Sequence, residues 1–196
     1  LRAVSAVTGS MFAVPRTPSV PKIFLPGCFM ELNRLFESSL NDFPNDYCAS
    51  LAWRTNTVLG VYEGETLLHH WRVWTDREKT SDEYGILLRN LYDGSDFSSR
   101  EIKAIIIASV VPPLTPTIVD LCERYFGVTP LVVGPGVKTG ISIKMDNPKE
   151  VGADRIVNAV AAFEQHGGPC IVVDFGTSTN LDVVSAKGEF IGGALA

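Results

Sequence analysis

Residues 170–184 read CIVVDFGTSTNLDVV, and this stretch decides the fold. Its apolar run ends at Asp174, a short polar turn follows, and apolar residues then return at alternate positions, which predicts strand, turn and strand. Gly176 allows the turn backbone to approach a ligand closely, and backbone N–H groups with the Thr177 hydroxyl suit phosphate oxygens. Asp174 is placed to hold a cation or a cation-bound water. Taken alone, the stretch fits a plain hairpin with a polar turn equally well.

The composition is that of an ordinary globular chain. The 196 residues are 45% hydrophobic and 20% charged, with a formal net charge of −5, and they suffice for one or two small domains. The negative charge argues against general nucleic-acid binding, and no apolar run approaches the ~20 residues that span a bilayer. We therefore expect neither a nucleic-acid partner nor a membrane partner.

The cysteines and histidines do not suggest a metal site. No C-x-x-C pair occurs among Cys28, Cys48, Cys122 and Cys170, so we expect reduced, buried thiols and a cytoplasmic location. The three histidines lack the spacing of metal ligands, and neither a P-loop nor a G-x-G-x-x-G fingerprint is present.

Residues 1–50 are predicted to be irregular, and regular structure is predicted to begin near Thr55. The stretch PRTPSVPKIFLPG carries four prolines, which exclude a helix or a central strand. The stretch MELNRLFESSL fits one short helix. The chain begins with Leu1, so we expect that the natural start lies elsewhere.

Strands and helices alternate after Thr55. TNTVLGVY and TLLHHWRVWT predict a hairpin, and a helix with capping-box spacing between Thr80 and Glu83 follows. The apolar run IKAIIIASVV predicts a covered strand, and a second helix ends at Gly127. GADRIVNAVAAFEQHGG predicts a third helix, which Gly167 closes. This order of elements predicts an α/β fold with a mixed sheet.

Two segments of the chain resemble each other. NTVLGVYEGE (56–65) and TNLDVVSAKGE (179–189) each place an apolar strand between polar residues and a tight turn with Gly and Glu. An internal repeat of this kind predicts two related domains, each starting with a β-hairpin. The match is short, and chance similarity is the alternative.

The segment NPKEVGADRIVNAV carries a second group of polar residues. Gly152 precedes a predicted helix, and Asp154 and Arg155 lie in its first turn. A helix N-terminus attracts anions, and an arginine there suits a carboxylate or a phosphate. An aspartate in a first turn is more often only a helix-favouring charge, so this segment alone leaves both roles open.

From Thr55 to Ala196 the chain resembles the type III pantothenate kinases, also called the Bvg accessory factor family. The resemblance lies in TNTVLGVYEGETLLHHWRVWTDREKTSDEYGILLRNL, ASVVPPLT, DNPKEVGADRIVNAVAA, VVDFGTSTNLDVV and GGALA. It implies the superfamily of acetate and sugar kinases, Hsp70 and actin, with two ribonuclease-H-like domains and ATP in the cleft between them. The domains would be a segment 1–50 without resemblance, a first domain 51–166, and an incomplete second domain 167–196.

The resemblance also implies an activity. The expected reaction is ATP-dependent phosphorylation of the primary hydroxyl of pantothenate to 4'-phosphopantothenate, the first step of coenzyme A synthesis. Family members need Mg²⁺ and a monovalent cation, K⁺ or NH₄⁺, and form homodimers.

The family motifs assign roles to individual positions of this chain. Asp154 matches the general base, and Asp174 matches the ligand of the monovalent cation. The matching substrate-binding segment is Gly152, Ala153, Asp154 and Arg155. The matching ATP-binding positions are Thr55, Asn56, Gly176 and Thr177.

The first phosphate motif of the family, D-x-G-N-T-N, is degenerate here. The matching stretch LAWRTN has Leu51 for the aspartate that would bind Mg²⁺ through water, Trp53 for the glycine and Arg54 for the first asparagine. Only Thr55 and Asn56 agree. Smaller departures are Asn180, where threonine is usual, and Met145, where an aromatic residue is common.

These departures qualify the expected activity. Residues 1–50 resemble nothing in the family, and the family continues beyond GGALA. A frameshift would explain the unmatched start together with the degenerate motif. We therefore expect weak or no activity, with a catalytically dead accessory protein or an inactive truncated product as the alternatives.

Overall fold

A computed structural model describes five short stretches, 2–3, 6–7, 10–11, 22–24 and 47–53, and residues 56–196 apart from 64–65, 96–97, 135–136 and 176–177. The chain forms two compact units. One is Leu32–Gly134, and the other combines Leu1–Glu31 with Pro135–Ala196. Within the described residues, no helix is long and apolar enough to cross a membrane.

The strands, in chain order, are β1 (Arg2–Ala3), β2 (Ala6–Val7), β3 (Ser10–Met11), β4 (Lys22–Phe24), β5 (Tyr47–Trp53), β6 (Asn56–Glu63), β7 (Thr66–Trp74), β8 (Ile102–Ser109), β9 (Leu131–Val132), β10 (Ser142–Ile143), β11 (Cys170–Phe175), β12 (Thr179–Val184) and β13 (Glu189–Leu195). The described α-helices are α1 (Ser81–Asp93), α2 (Thr115–Leu121) and α3 (Ala153–His166). Single 3₁₀ turns occupy Ser99–Glu101, Pro112–Leu114 and Pro148–Glu150.

The unit Leu32–Gly134, here called the five-stranded unit, is built on a mixed sheet in the order β7-β6-β5-β8-β9. Strands β5, β6 and β7 run antiparallel, whereas β8 is parallel to β5 and β9 is parallel to β8. Counted along the chain, the strand order is 3-2-1-4-5, the arrangement of a ribonuclease-H-like domain. The predicted α/β fold class is therefore confirmed.

The central strand of this sheet begins earlier than predicted. Strand β5 starts at Tyr47, inside the segment 1–50 that was predicted to be irregular and before Thr55, where regular structure was expected. Its sequence YCASLAW is rich in small residues with weak strand propensity. Pairing with β6 on one side and β8 on the other overrides that local preference.

The core of the five-stranded unit lies between the sheet and helices α1 and α2. It consists of the buried residues Ala49, Leu59, Val61, Tyr84, Leu88, Tyr92, Ile102, Ile105, Ile107, Val111, Leu114, Ile118, Leu121, Cys122 and Phe126. The predicted capping box of α1 is formed, since Thr80 and Glu83 exchange hydrogen bonds. Helix α2 continues as a π-helix over Cys122–Phe126, and the predicted stop, Gly127, adopts a left-handed φ of 68°.

The second unit, here called the six-stranded unit, has a sheet in the order β10-β13-β12-β11-β1-β4. Strands β11, β12 and β13 form an antiparallel meander, and α3 packs against β11 and β12. Strands β1 to β4 are further corrections to the irregular segment, although the position of β4 at the sheet edge agrees with the prolines around it. The short helix predicted for residues 30–40 lies outside the described residues.

Both hairpins of the internal repeat are formed, as β6–β7 and β12–β13. Helix α3 belongs to the six-stranded unit, whereas the domain boundary predicted from the family follows residue 166. That boundary concerns the complete two-domain fold and stays a prediction.

Candidate functional site

The N-terminus of α3 follows a turn that starts with a proline, and a glycine is its N-cap residue. A 3₁₀ turn over Pro148–Glu150 precedes it, and Gly152 is the N-cap residue with extended backbone angles (φ −61°, ψ 145°). The Gly152 carbonyl accepts hydrogen bonds from the backbone N–H groups of Arg155 (3.1 Å) and Ile156 (3.2 Å). Ala153 is buried, so the next two side chains, Asp154 and Arg155, are the polar groups that this first turn presents.

Asp154 is partly exposed and is oriented by its own turn. Its Oδ1 accepts a hydrogen bond from the backbone N–H of Arg155 at 2.8 Å. A carboxylate in this position also interacts favourably with the positive end of the helix dipole. The position therefore gives a carboxyl group a defined side-chain direction.

Arg155 forms an ion pair with Asp182 of β12. Its Nε donates to Asp182 Oδ1 at 2.8 Å, and its Nη2 donates to the same oxygen. The two side chains are only 13% and 1% exposed. The guanidinium carbon lies 5.5 Å from the centre of the buried Phe190 ring, which adds a cation–π contact.

A row of polar side chains follows the covered face of the β11–β12 hairpin. Asp174 lies opposite Asn180, and Asp182 is two residues further along β12, so all three share one face of the sheet. Their residues are 4%, 4% and 1% exposed. Within the described residues, Asn180 Oδ1 and Asp182 Oδ2 have no hydrogen-bond partner.

The electrostatics of this row are dominated by burial. Burial raises the pKa of the Asp182 carboxyl, the hydrogen bonds and charge of Arg155 lower it, and the nearby carboxylates of Asp154 and Asp174 raise it. The pKa of Asp182 is raised overall, and Arg155 is the positive charge that offsets part of this rise.

Gly193 of β13 covers the Arg155–Asp182 pair. A Cβ atom at this position would lie 2.6 Å from Asp182 Oδ1, 2.7 Å from Arg155 Nη2 and 2.2 Å from the Leu181 carbonyl oxygen. A glycine is required here because the ion pair and the neighbouring strand fill the space that a side chain would occupy.

The six-stranded unit thus contains five of the predicted site residues: Gly152, Ala153, Asp154, Arg155 and Asp174. Asn56 lies in the five-stranded unit as the half-buried first residue of β6. The other predicted ATP-binding positions, Thr55, Gly176 and Thr177, lie outside the described residues.

Two residues of the site were not predicted from the sequence, Asp182 and Gly193. A signal for Asp182 exists in TNLDVV, where Asn180 and Asp182 alternate in step with the apolar Val184 on a face that packs inward. Gly193 has no comparable signal, since the sequence does not show which side chains lie beneath it.

The donor atoms of the site are compatible with a hard cation. The buried Asp174 carboxylate and Asn180 Oδ1 are oxygen donors of the kind that K⁺ or Mg²⁺ prefers. Among the described residues, no group of three or more His, Cys, Asp or Glu is arranged to hold a metal ion. Cys122 and Cys170 are buried, as predicted, whereas the side chains of Cys28 and Cys48 lie outside what the structure describes.

Comparison with known proteins gives consistent matches. A family model described as type III pantothenate kinase matches residues 54–196. The curated type III pantothenate kinases of Halalkalibacterium halodurans and Syntrophus aciditrophicus are 56% and 59% identical to this chain over 142 residues. Each match covers 72% of this chain and 56% of the relative, so the chain spans about half the length of these relatives. Among solved structures, the ethanolamine utilization protein EutJ from Carboxydothermus hydrogenoformans is similar over 85% of this chain and 60% of that chain, with 17% identity and a TM-score of 0.46.

Proposed function

Because the chain belongs to the type III pantothenate kinase family, we propose that the protein transfers the γ-phosphoryl group of ATP to the primary hydroxyl of pantothenate. The product would be 4'-phosphopantothenate, the first intermediate of coenzyme A synthesis. The observation that supports this proposal is the position of Asp154. Its carboxylate is partly exposed, lies at the positive end of α3 and is oriented by a backbone N–H.

Asp154 is the proposed general base. As the pantothenate oxygen forms its bond to the γ-phosphorus, the bond from that phosphorus to the bridging oxygen of ADP breaks, and the hydroxyl proton passes to the Asp154 carboxylate. Such a reaction needs alignment and charge stabilisation more than covalent chemistry. The first turn of α3 supplies the carboxylate that would act as the base and fixes the direction of that side chain.

Arg155 is proposed to bind an anionic group of the substrates. A guanidinium has five N–H donors, and Asp182 takes two of them, so three remain for a carboxylate or a phosphoryl group. Gly152, the N-cap residue of α3, and the buried Ala153 complete the proposed substrate-binding segment.

The proposed monovalent cation, K⁺ or NH₄⁺, would be held by Asp174 together with the Asn180 amide oxygen, and it would supply positive charge near the phosphates. The Mg²⁺ implied by the family finds no such support, because Leu51 replaces the aspartate that would hold it. No residue of this chain is proposed to bind Mg²⁺, which would enter the site only in association with ATP. Thr55, Asn56, Gly176 and Thr177 remain the proposed ATP contacts.

A homodimer and a cytoplasmic location belong to the same proposal and rest on the family resemblance. Neither a nucleic-acid nor a membrane partner is proposed. Sedimentation of the purified chain tests the dimer directly.

The test of the proposed function is ATP-dependent phosphorylation of pantothenate with Mg²⁺, in K⁺ compared with Na⁺. Turnover should be stimulated by K⁺, and Asp154→Asn should reduce it on the order of a hundredfold to ten-thousandfold, because the general base is lost. Asp120→Asn is the matched control, since Asp120 is an exposed carboxylate on α2 whose partner is Arg124.

Turnover that is equal in the Asp154→Asn variant and the wild type would contradict the assignment of the base. A folded chain that binds pantothenate without turnover would instead favour the non-catalytic accessory protein.

A further inference from the structure

The Arg155–Asp182 pair differs from the other described ion pairs of this chain. The pairs Arg89–Asp93 and Arg124–Asp120 join neighbouring turns of one helix, Arg124–Asp82 joins two helical segments, and all of these side chains are about half exposed. Arg155 and Asp182 join a helix to a strand, 27 residues apart, and are almost fully buried. An exposed pair contributes little, whereas a buried pair is costly to desolvate and persists only in a defined geometry.

The surroundings fix the plane of the guanidinium. Nε and Nη2 lie on one edge of the group, and both donate to Asp182 Oδ1, so that edge is committed to β12. The Phe190 ring packs against the guanidinium. Gly193 of β13 lies close to the other side of the pair, since a Cβ built there would be 2.7 Å from Arg155 Nη2. The opposite edge, with Nη1, is the part of Arg155 that remains for a ligand.

We propose that Asp182 is a positioning residue, which holds Arg155 so that its remaining N–H groups face the anionic group of the substrate beside Asp154. This proposal rests on the proposed function, because it specifies the ligand that Arg155 would bind. That ligand is an anionic group, either the pantothenate carboxylate or a phosphoryl group. Asp182 itself is too deeply buried to touch that substrate, so its effect passes through Arg155.

The link to Asp154 runs through the backbone. Arg155 donates its backbone N–H to Asp154 Oδ1, and its side chain is anchored by Asp182. Arg155 therefore contacts the proposed base through its backbone N–H and Asp182 through its side chain.

The experiment uses the full chain and three variants: Asp182→Asn, Arg155→Gln and the charge-neutral double variant Arg155→Gln with Asp182→Asn. Unfolding equilibria and ¹⁵N spectra are recorded first, and each folded protein is then titrated with pantothenate. Asp120→Asn serves as the control, because it makes the same chemical change in an exposed ion pair.

The first expected result concerns the pair itself and does not depend on activity. Arg155→Gln leaves the buried Asp182 without its counter-charge, so it should shift the unfolding equilibrium about a hundredfold further than the double variant does. In the wild type the Arg155 Nε–H signal should exchange slowly with solvent. Asp182→Asn should change the chemical shifts of both the Nε–H and the backbone N–H of Arg155. Unchanged Arg155 signals in Asp182→Asn would overturn the proposal.

The second expected result concerns the substrate. Asp182→Asn should weaken pantothenate binding about tenfold, the loss expected when one charge-assisted hydrogen bond is misdirected. If that variant does not fold, the double variant decides the matter: it should fold and should bind pantothenate as weakly as Arg155→Gln. Wild-type affinity in either folded variant would overturn the positioning role. A wild-type chain that binds no pantothenate would refute the proposed function instead, while the Arg155 signals still report on the role of Asp182.

Discussion

Replacing Gly193 by alanine tests the site at its tightest point. The new Cβ would lie 2.2 Å from the Leu181 carbonyl oxygen, which is a backbone atom of β12. Gly193 is paired with Asp182 in the β12–β13 register, so the strand cannot yield without moving the ion pair. The nearest atoms are therefore part of the framework of the sheet, and a rotamer change cannot relieve the contact.

The cost can be worked from these distances. A carbon atom needs more than 3.0 Å from such an oxygen, so one strand must shift by about 1 Å. Overpacking of this kind costs typically 1–3 kcal/mol, and we expect the upper end, about 3 kcal/mol, because the obstacle is backbone. The shift would also separate Arg155 from Asp182, since the same Cβ lies 2.7 Å from Arg155 Nη2.

The assay is urea unfolding of Gly193→Ala followed by hydrogen exchange of peptides that cover β11–β13. The tryptophans are Trp53, Trp71 and Trp74, so their fluorescence reports on the five-stranded unit and should change less than the exchange rates do. Gly134→Ala is the control, because its Cβ would meet no atom within 4 Å, and it should alter stability by less than about 1 kcal/mol. Equal stability of the two variants would refute the reasoning about Gly193.

Two further predictions concern the five-stranded unit. Thr57→Val should destabilise it by about 1–2 kcal/mol in urea unfolding followed by tryptophan fluorescence, because Thr57 Oγ1 and Thr75 Oγ1 form a buried hydrogen bond at 2.8 Å. Adding Thr75→Val should recover part of that loss, and a larger loss in the double variant would contradict the explanation. Burial raises the pKa of the Cys122 thiol to about 12, so only on the order of one thiol in ten thousand is ionised at pH 8. Iodoacetamide should therefore leave Cys122 unmodified in the native chain and modify it in urea, as read by peptide mass spectrometry, and native labelling would show that the thiol is accessible.

The elements after Thr55 follow from local signals in the sequence. The Thr80–Glu83 capping box and the glycines that close α2 and α3 are each encoded within a few residues, and all are formed. Strand β5 carries no such signal, because YCASLAW becomes a strand only through its two neighbours in the sheet. Its place is decided by pairing with β8, more than fifty residues further along the chain.

The residues of the site also divide into those that local sequence signals predict and those that depend on long-range packing. The positions of Asp154 and Arg155 in the first turn of α3 follow from Gly152 and the helical pattern around it. The partner of Arg155 does not, because the contact with Asp182 depends on how α3 packs across β12. The sequence motif therefore predicts the proposed substrate segment, whereas the contact between Arg155 and Asp182 depends on the three-dimensional packing.

The close approach of Gly193 to the ion pair has a consequence for how this part of the chain can diverge. A larger residue at 193 excludes the pair, a neutral residue at 182 removes the counter-charge of Arg155, and a neutral residue at 155 leaves Asp182 buried alone. Each of these single changes should therefore give a chain that is less stable than the present one. The three positions should therefore be inherited as a set, and a lineage that abandons one of them has reason to abandon all three.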